Sequence, residues 1–198
     1  MAEKSGIFKV WLVGMANASS FDYNCYGEGT MFAIGMKLKT MLNSICQHKD
    51  STFAAADYSW EMGNVADTDV VVYVTGTKEH GSIIKGKSGV PIHESASGGT
   101  YAYTGGMISE VYLRSFDGAA NFSNLAANII FHEMMHNKLD APAVKTINDL
   151  HSGGGGGLAN PTVSAGSALT DKNIELMAKA LSKKVPQYTA EMQKPLLG

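Results

Sequence analysis

Residues 132–136 read His-Glu-Met-Met-His. On a helix, positions i and i+4 differ by about 40° around the axis, so His132 and His136 project side by side and can put two imidazoles on one metal ion. Glu133 lies about 100° further round from His132, near enough to reach a water on that metal without being a ligand itself. The chemistry this permits is hydrolysis. Zinc lowers the pKa of a bound water toward about 7 and polarises the carbonyl under attack, while Glu133 takes the water proton and returns it to the leaving amine. The competing role for the same pair is structural, as two hydrogen-bonded histidines on an ordinary packed helix. Against it, Ile130, Phe131, Met134 and Met135 make this helix apolar almost all round, which predicts deep burial. Two imidazoles and a carboxylate at that depth need partners, and zinc supplies one.

A catalytic zinc takes three protein ligands and keeps one position open. The 132–136 pattern resembles that of the zincin metallopeptidases, whose subfamilies differ in the third ligand. Metzincins place a glycine three residues, and a histidine six residues, after the second His; those positions are Leu139 and Pro142 here, so that signature fails. Thermolysin-like relatives take a glutamate some twenty residues on, whereas the first glutamate after His136 is Glu175. The spacing that fits is similar to that of SprT-like (Spartan-type) proteases, with a histidine fifteen residues after the second, and His151 stands there. The resemblance covers about residues 122–152. It implies zinc-hydrolase chemistry, with His132, His136 and His151 as ligands and Glu133 as base, and not a role in DNA repair. Glu175, Asp140 and Asp149 remain carboxylate alternatives for the third position. Asp140 continues the i, i+4, i+8 line but precedes Ala141-Pro142, where a helix N-cap is its other role. His151 has a competing role at a helix C-terminus, where the dipole favours it.

These residues need elements to position them. Residues 7–15 are β-branched and aromatic up to Gly14 and predict a first strand; a polar loop follows to residue 28. Residues 29–47 carry Phe32, Met36, Leu38, Leu42 and Ile45 without proline, which predicts a long amphipathic helix packed on the sheet. The run 69–76 predicts a strand covered on both faces. Residues 76–106 are rich in Gly, Ser and Lys, with a short strand near Ile83-Ile84 or 90–93 as the only candidate. The alternation over 107–116 predicts a strand with one wetter face near a sheet edge, where an extended peptide could add as another strand. Ser123 is the expected N-cap of the 132–136 helix, which should run to about Leu139. Pro142 suits the first turn of a second helix that would align Val144, Ile147 and His151 on one inward face. The glycines 153–157 break it, as a flap beside the site or as a flexible linker. Thr170 or Asp171 opens a last helix to about Lys184. The expected fold is therefore α+β and zincin-like over a single domain, residues 1–198. A small mixed sheet packed on one long helix fills 1–120, and the active-site and C-terminal helices fill 121–198.

Composition narrows the partners. The 198 residues carry 16 Lys+Arg against 18 Asp+Glu, and Arg114 is the only arginine, so a nucleic-acid partner is not expected. The longest apolar runs, such as 70–74, fall far short of the ~18 residues that cross a bilayer. Lys9 interrupts the apolar stretch near the N-terminus, so a strand is expected there and not a cleavable export signal. A cytoplasmic location, or export by a route that needs no such signal, remains open. Cys25 and Cys46 are too few for a thiolate zinc site or a disulfide framework, and both are expected to be structural. The expected partner is a peptide or protein substrate. An oxyanion-stabilising group should come from Tyr101, Tyr103, His93 or Tyr188, among which the sequence does not choose. Besides a zinc peptidase, the readings are an exported toxin or effector peptidase of the same chemistry and a non-catalytic, metal-stabilised binding protein.

Overall fold

The computed structural model of the chain describes residues 3–14, 26–76, 84, 95–103 and 106–189. The fold is mixed α+β. β1 (Ile7–Gly14) leads to α1 (Gly27–Gln47), which crosses over to β2 (Ala55–Ser59), and β3 (Val70–Thr75) follows. β4 (Gly98–Tyr103) and β5 (Gly106–Tyr112) form a hairpin that precedes α2 (Phe122–Met135). The strand order is β2-β1-β3-β5-β4, and every neighbouring pair is parallel except β4 with β5. No helix among the described residues is long and apolar enough to cross a membrane.

Alternation sorts the strand side chains onto two faces. Phe8, Val10, Leu12, Val70, Val72, Val74 and Val111 pack against α1, α2 and the last helix, α4 (Asp171–Ala180), in the main core. Trp11, Val13, Val71, Tyr73 and Ile108 form a second cluster on the other face with Ile84 and Tyr188. Every residue of β3 is buried, as its unbroken β-branched run predicts.

Several expectations need correcting. The 107–116 strand ends at Tyr112 and lies between β3 and β4, so the edge beside it belongs to β4. Neither face is wet beyond Gly106: Ser109 and Glu110, on opposite faces, are polar yet fully buried, each satisfied by hydrogen bonds. On α1 the inward stripe is Met31, Ile34, Leu38, Leu42 and Ile45, while Phe32 and Met36 are 62% and 41% exposed. Ser123 does not cap α2. The helix starts at Phe122 behind Asn121, whose backbone is left-handed (φ 57°) and whose side chain makes no capping bond. No second helix follows Pro142: Lys145 is left-handed (φ 37°), and Thr146 and Ile147 both donate their N–H groups to Leu139 O. The helix that carries His151 is the four-residue α3 (Leu150–Gly153). α4 ends at Ala180, not near Lys184, and its N-terminus is the expected Thr170, in a reciprocal capping box with Asn173. Residues 17–25 and 90–93 lie outside the described residues, and of Ile83-Ile84 only Ile84 lies within them.

Candidate metal centre

α2 reaches the site because it is buried on all sides from Ala126 to Met135, as a helix without a polar face must be. At His136 it widens into a π turn (His136–Asp140), closed by Ala141 N–H on His136 O. This turn sets the carboxylate of Asp140 against His136, with Nδ1 and Oδ2 2.9 Å apart. The same Oδ2 accepts from Leu150 N–H at 2.9 Å, so one carboxylate orients the second histidine and anchors the helix that carries the third.

His132 is oriented differently. Its Nδ1 lies 2.7 Å from Leu158 O, which requires the Nδ1–H tautomer and leaves Nε2 as a lone pair. Asp140 selects the same tautomer in neutral His136. His151 Nε2 stands 3.5 Å from His132 Nε2, and the ligand atoms of all three histidines lie within 4.8 Å of one another. Two nitrogens on one tetrahedral zinc are about 3.3 Å apart. The His132–His151 spacing is close to that value, and the donor set could hold a divalent, nitrogen-preferring ion.

The structure separates the four candidates for the third position. His151 joins the pair from the side of the cleft, on a side chain that is 37% exposed and carried by a four-residue helix rather than on the inward face of a longer one. Asp140 sits behind His136. Asp149 caps α3, accepting from His151 and Ser152 N–H groups. Glu175 is on the exposed side of α4, paired with Lys172 and Lys179.

Charge in the metal-free site follows burial. His132 is pushed down to about 4 by desolvation, which its bond to Leu158 only partly offsets, so it stays neutral and able to ligate. Burial also opposes charge on His136, but the Asp140 bond and the carboxylates of Glu133, Asp140 and Asp149 leave its pKa above the ordinary value. Burial and then the charge of His136 lower His151. Glu133 is pushed up to about 7 by desolvation, against the lowering influence of His136 and of its hydrogen bond from Thr100.

A cleft of about 700 Å³ opens over the histidines. β4 and the residues just before it, 95–101, form one wall; Ile129, His132, Glu133 and His136 form the floor; His151 and residues 161–163 form the other side. Of the oxyanion candidates, Tyr101 lines this cleft, whereas Tyr103 and Tyr188 pack edge-on against each other and His93 lies outside the described residues. Cys46 is buried, its thiol pushed up by desolvation; Cys25 lies outside the described residues. The glycines 153–157 are neither flap nor loose linker, because Asn173 Nδ2 holds Gly154 O at 2.6 Å and Gly156 O at 3.1 Å.

Sequence reasoning missed Leu158, Thr100 and Gly98, and gave Asp140 the wrong part. Asp140→Asn is expected to keep the fold but weaken metal binding about 10–100-fold, because the partner that fixes and polarises His136 loses its charge. Competition with a calibrated chelator measures this, and unchanged affinity would make the Asp140–His136 bond incidental. No protein-family model matches the chain, and neither a curated protein nor a solved structure gives a match to it.

Proposed function

We propose that the chain is a zinc-dependent metallopeptidase with His132, His136 and His151 as ligands and Glu133 as general base. The observation that carries this reading is the convergence of three imidazoles, two with Nε2 left free by Nδ1 hydrogen bonds, beside a buried carboxylate on the cleft floor. When bound, zinc supplies the Lewis acidity that polarises a scissile carbonyl and makes a water acidic near neutral pH. Glu133 takes the proton of the attacking water and delivers it to the leaving amine. Its raised pKa in the metal-free protein shows how strongly its surroundings resist an uncompensated charge. A mixed sheet whose antiparallel last strand flanks the helix bearing His132 and Glu133 supports a zincin-like reading of the fold. Among the described residues no strand lies beyond β4, so its outer edge, not that of β5, is the place for an extended peptide to add as a strand. A binding protein that holds metal only for stability has no use for Glu133 at that place.

The test is zinc per chain on protein purified without added metal, for the wild type and for His151→Ala and Glu175→Ala, followed by digestion of a peptide library. The expected result is one zinc in the wild type and in Glu175→Ala, a loss in His151→Ala, and cleavage that a chelator stops. No zinc in the wild type even after it is offered would sink the reading. Zinc without cleavage would favour the binding protein.

A further inference from the structure

Glu133 sits at the end of a chain of buried and half-buried polar groups that begins on the C-terminal segment. Val71 N–H donates to Gln187 at 3.2 Å, and since a backbone N–H can only donate, the atom it meets is Oε1. Gln187 Nε2 therefore donates to Asn137 Oδ1 at 3.0 Å. Asn137 must then turn Nδ2 to Ser109 Oγ, 3.0 Å away. Ser109 accepts that bond, and its hydroxyl lies 3.1 Å from Thr100 Oγ1. Thr100 has one proton and three oxygens in reach: Ser109 Oγ, Glu133 O at 3.0 Å and Glu133 Oε2 at 2.8 Å. The carboxylate is both the closest and the strongest acceptor, so the proton goes to Oε2 and Ser109 donates to Thr100. Asn137 and Ser109 are fully buried and Glu133 nearly so, while Thr100 is half-buried at the cleft wall.

We propose that Thr100, Ser109 and Asn137 are positioning residues that hold Glu133 Oε2 in a directed donor chain and leave Oε1 as the oxygen that exchanges the proton. This rests on the reading of Glu133 as the base. Gly98 completes the arrangement. A Cβ there would stand 2.6 Å from Glu133 Oε1 and 2.9 Å from the backbone oxygen of Glu110, so the free oxygen occupies space that only glycine provides. β4 thus fixes the base in two ways, by a hydroxyl and by a missing side chain, two residues apart.

The experiment compares zinc-loaded wild type with Thr100→Val, Thr100→Ser and Ser109→Ala. Zinc content reports folding of each variant, kinetics are followed on one library-derived peptide, and a crystal structure of Thr100→Val reports the position of the base. Thr100→Val keeps the shape and the β-propensity but removes the hydroxyl. It is expected to lower kcat about 10–100-fold with KM nearly unchanged, and Ser109→Ala less so, while Thr100→Ser restores kcat to within a few-fold of wild type. In the Thr100→Val structure the Glu133 carboxylate should leave its wild-type position. An unchanged kcat, a loss confined to KM, or a Glu133 that stays in place would overturn the proposal. A Glu133 that swings away in a protein whose wild type cleaves nothing would uphold the tether and sink the base assignment.

Discussion

Glu133→Gln is expected to lower turnover by about 10²–10⁴-fold and, in the metal-free protein, to raise stability above pH 7. Both effects come from one buried carboxylate. Desolvation lifts its pKa from 4.5 to about 7 in the folded chain. A group raised in this way contributes its stability fully below the unfolded value of 4.5 and loses it as pH climbs through 7, because the folded state must then give up a proton it holds more tightly than the unfolded chain does. The gap corresponds to about 3 kcal/mol at pH 8 and to less than about 1 kcal/mol at pH 5. Glutamine keeps the acceptor for Thr100 and does not titrate, so its advantage over the wild type grows across that window. For a chain of this size the melting temperature in chelator should rise about 5–10 °C more at pH 8 than at pH 5. Full activity in the variant would remove Glu133 from the base role. An equal temperature shift at both pH values would mean that the metal-free site never holds a buried charge.

The divide between what the sequence shows and what it hides runs along side-chain periodicity. His132, Glu133 and His136 are legible because helical geometry converts spacing into neighbourhood, and α2 is where an all-apolar pattern places it. His151 was legible by count alone: the second helix meant to aim it inward does not exist, and an aspartate behind His136 anchors its turn through Leu150 instead. The partner of His132 is a backbone carbonyl, Leu158 O, which leaves no mark on residue types. β4 escaped because its first half, Gly98-Gly99-Thr100, carries little side chain and so shows no alternation. The same poverty gives Glu133 its room. β5 misled for the opposite reason, since Ser109 and Glu110 are polar for the sake of the interior. On α1, Phe32 and Met36 fit a helical period but fall outside the stripe that the sheet covers. Burial and functional polarity were indistinguishable at these positions until the strand order was known.

The glycine run offers the other large effect, because there the stability of the fold and the geometry of the candidate metal centre meet in one amide. Asn173→Ala is expected to cost about 3–5 kcal/mol of stability and to weaken zinc binding about 10–100-fold in the protein that remains folded. Asn173 is fully buried, and its Nδ2 donates to Gly154 O and Gly156 O, while Oδ1 accepts from Leu158 N–H at 3.3 Å and Thr170 N–H at 3.1 Å. Truncation strands these backbone groups, two of them buried and two half-buried, at about 1–3 kcal/mol for each buried one left without a partner. The loop it holds has the backbone conformation that favours glycine. Gly155, Gly156 and Gly157 have φ of 83°, 71° and 59°, and a Cβ on Gly157 would meet Ala168 O at 2.5 Å. The next residue is Leu158, whose carbonyl fixes the His132 ring. A loosened loop therefore frees the tautomer and the aim of a proposed zinc ligand that Asn173 never touches. Thermal melts in chelator give the first effect, and zinc competition on the native fraction gives the second. Gly157→Ala should reproduce both through strain alone, with every Asn173 donor and acceptor still present. If either variant destabilised the fold yet bound zinc as tightly as the wild type, the Leu158 carbonyl would be a bystander, and the orientation of His132 would have to come from the packing of α2 alone.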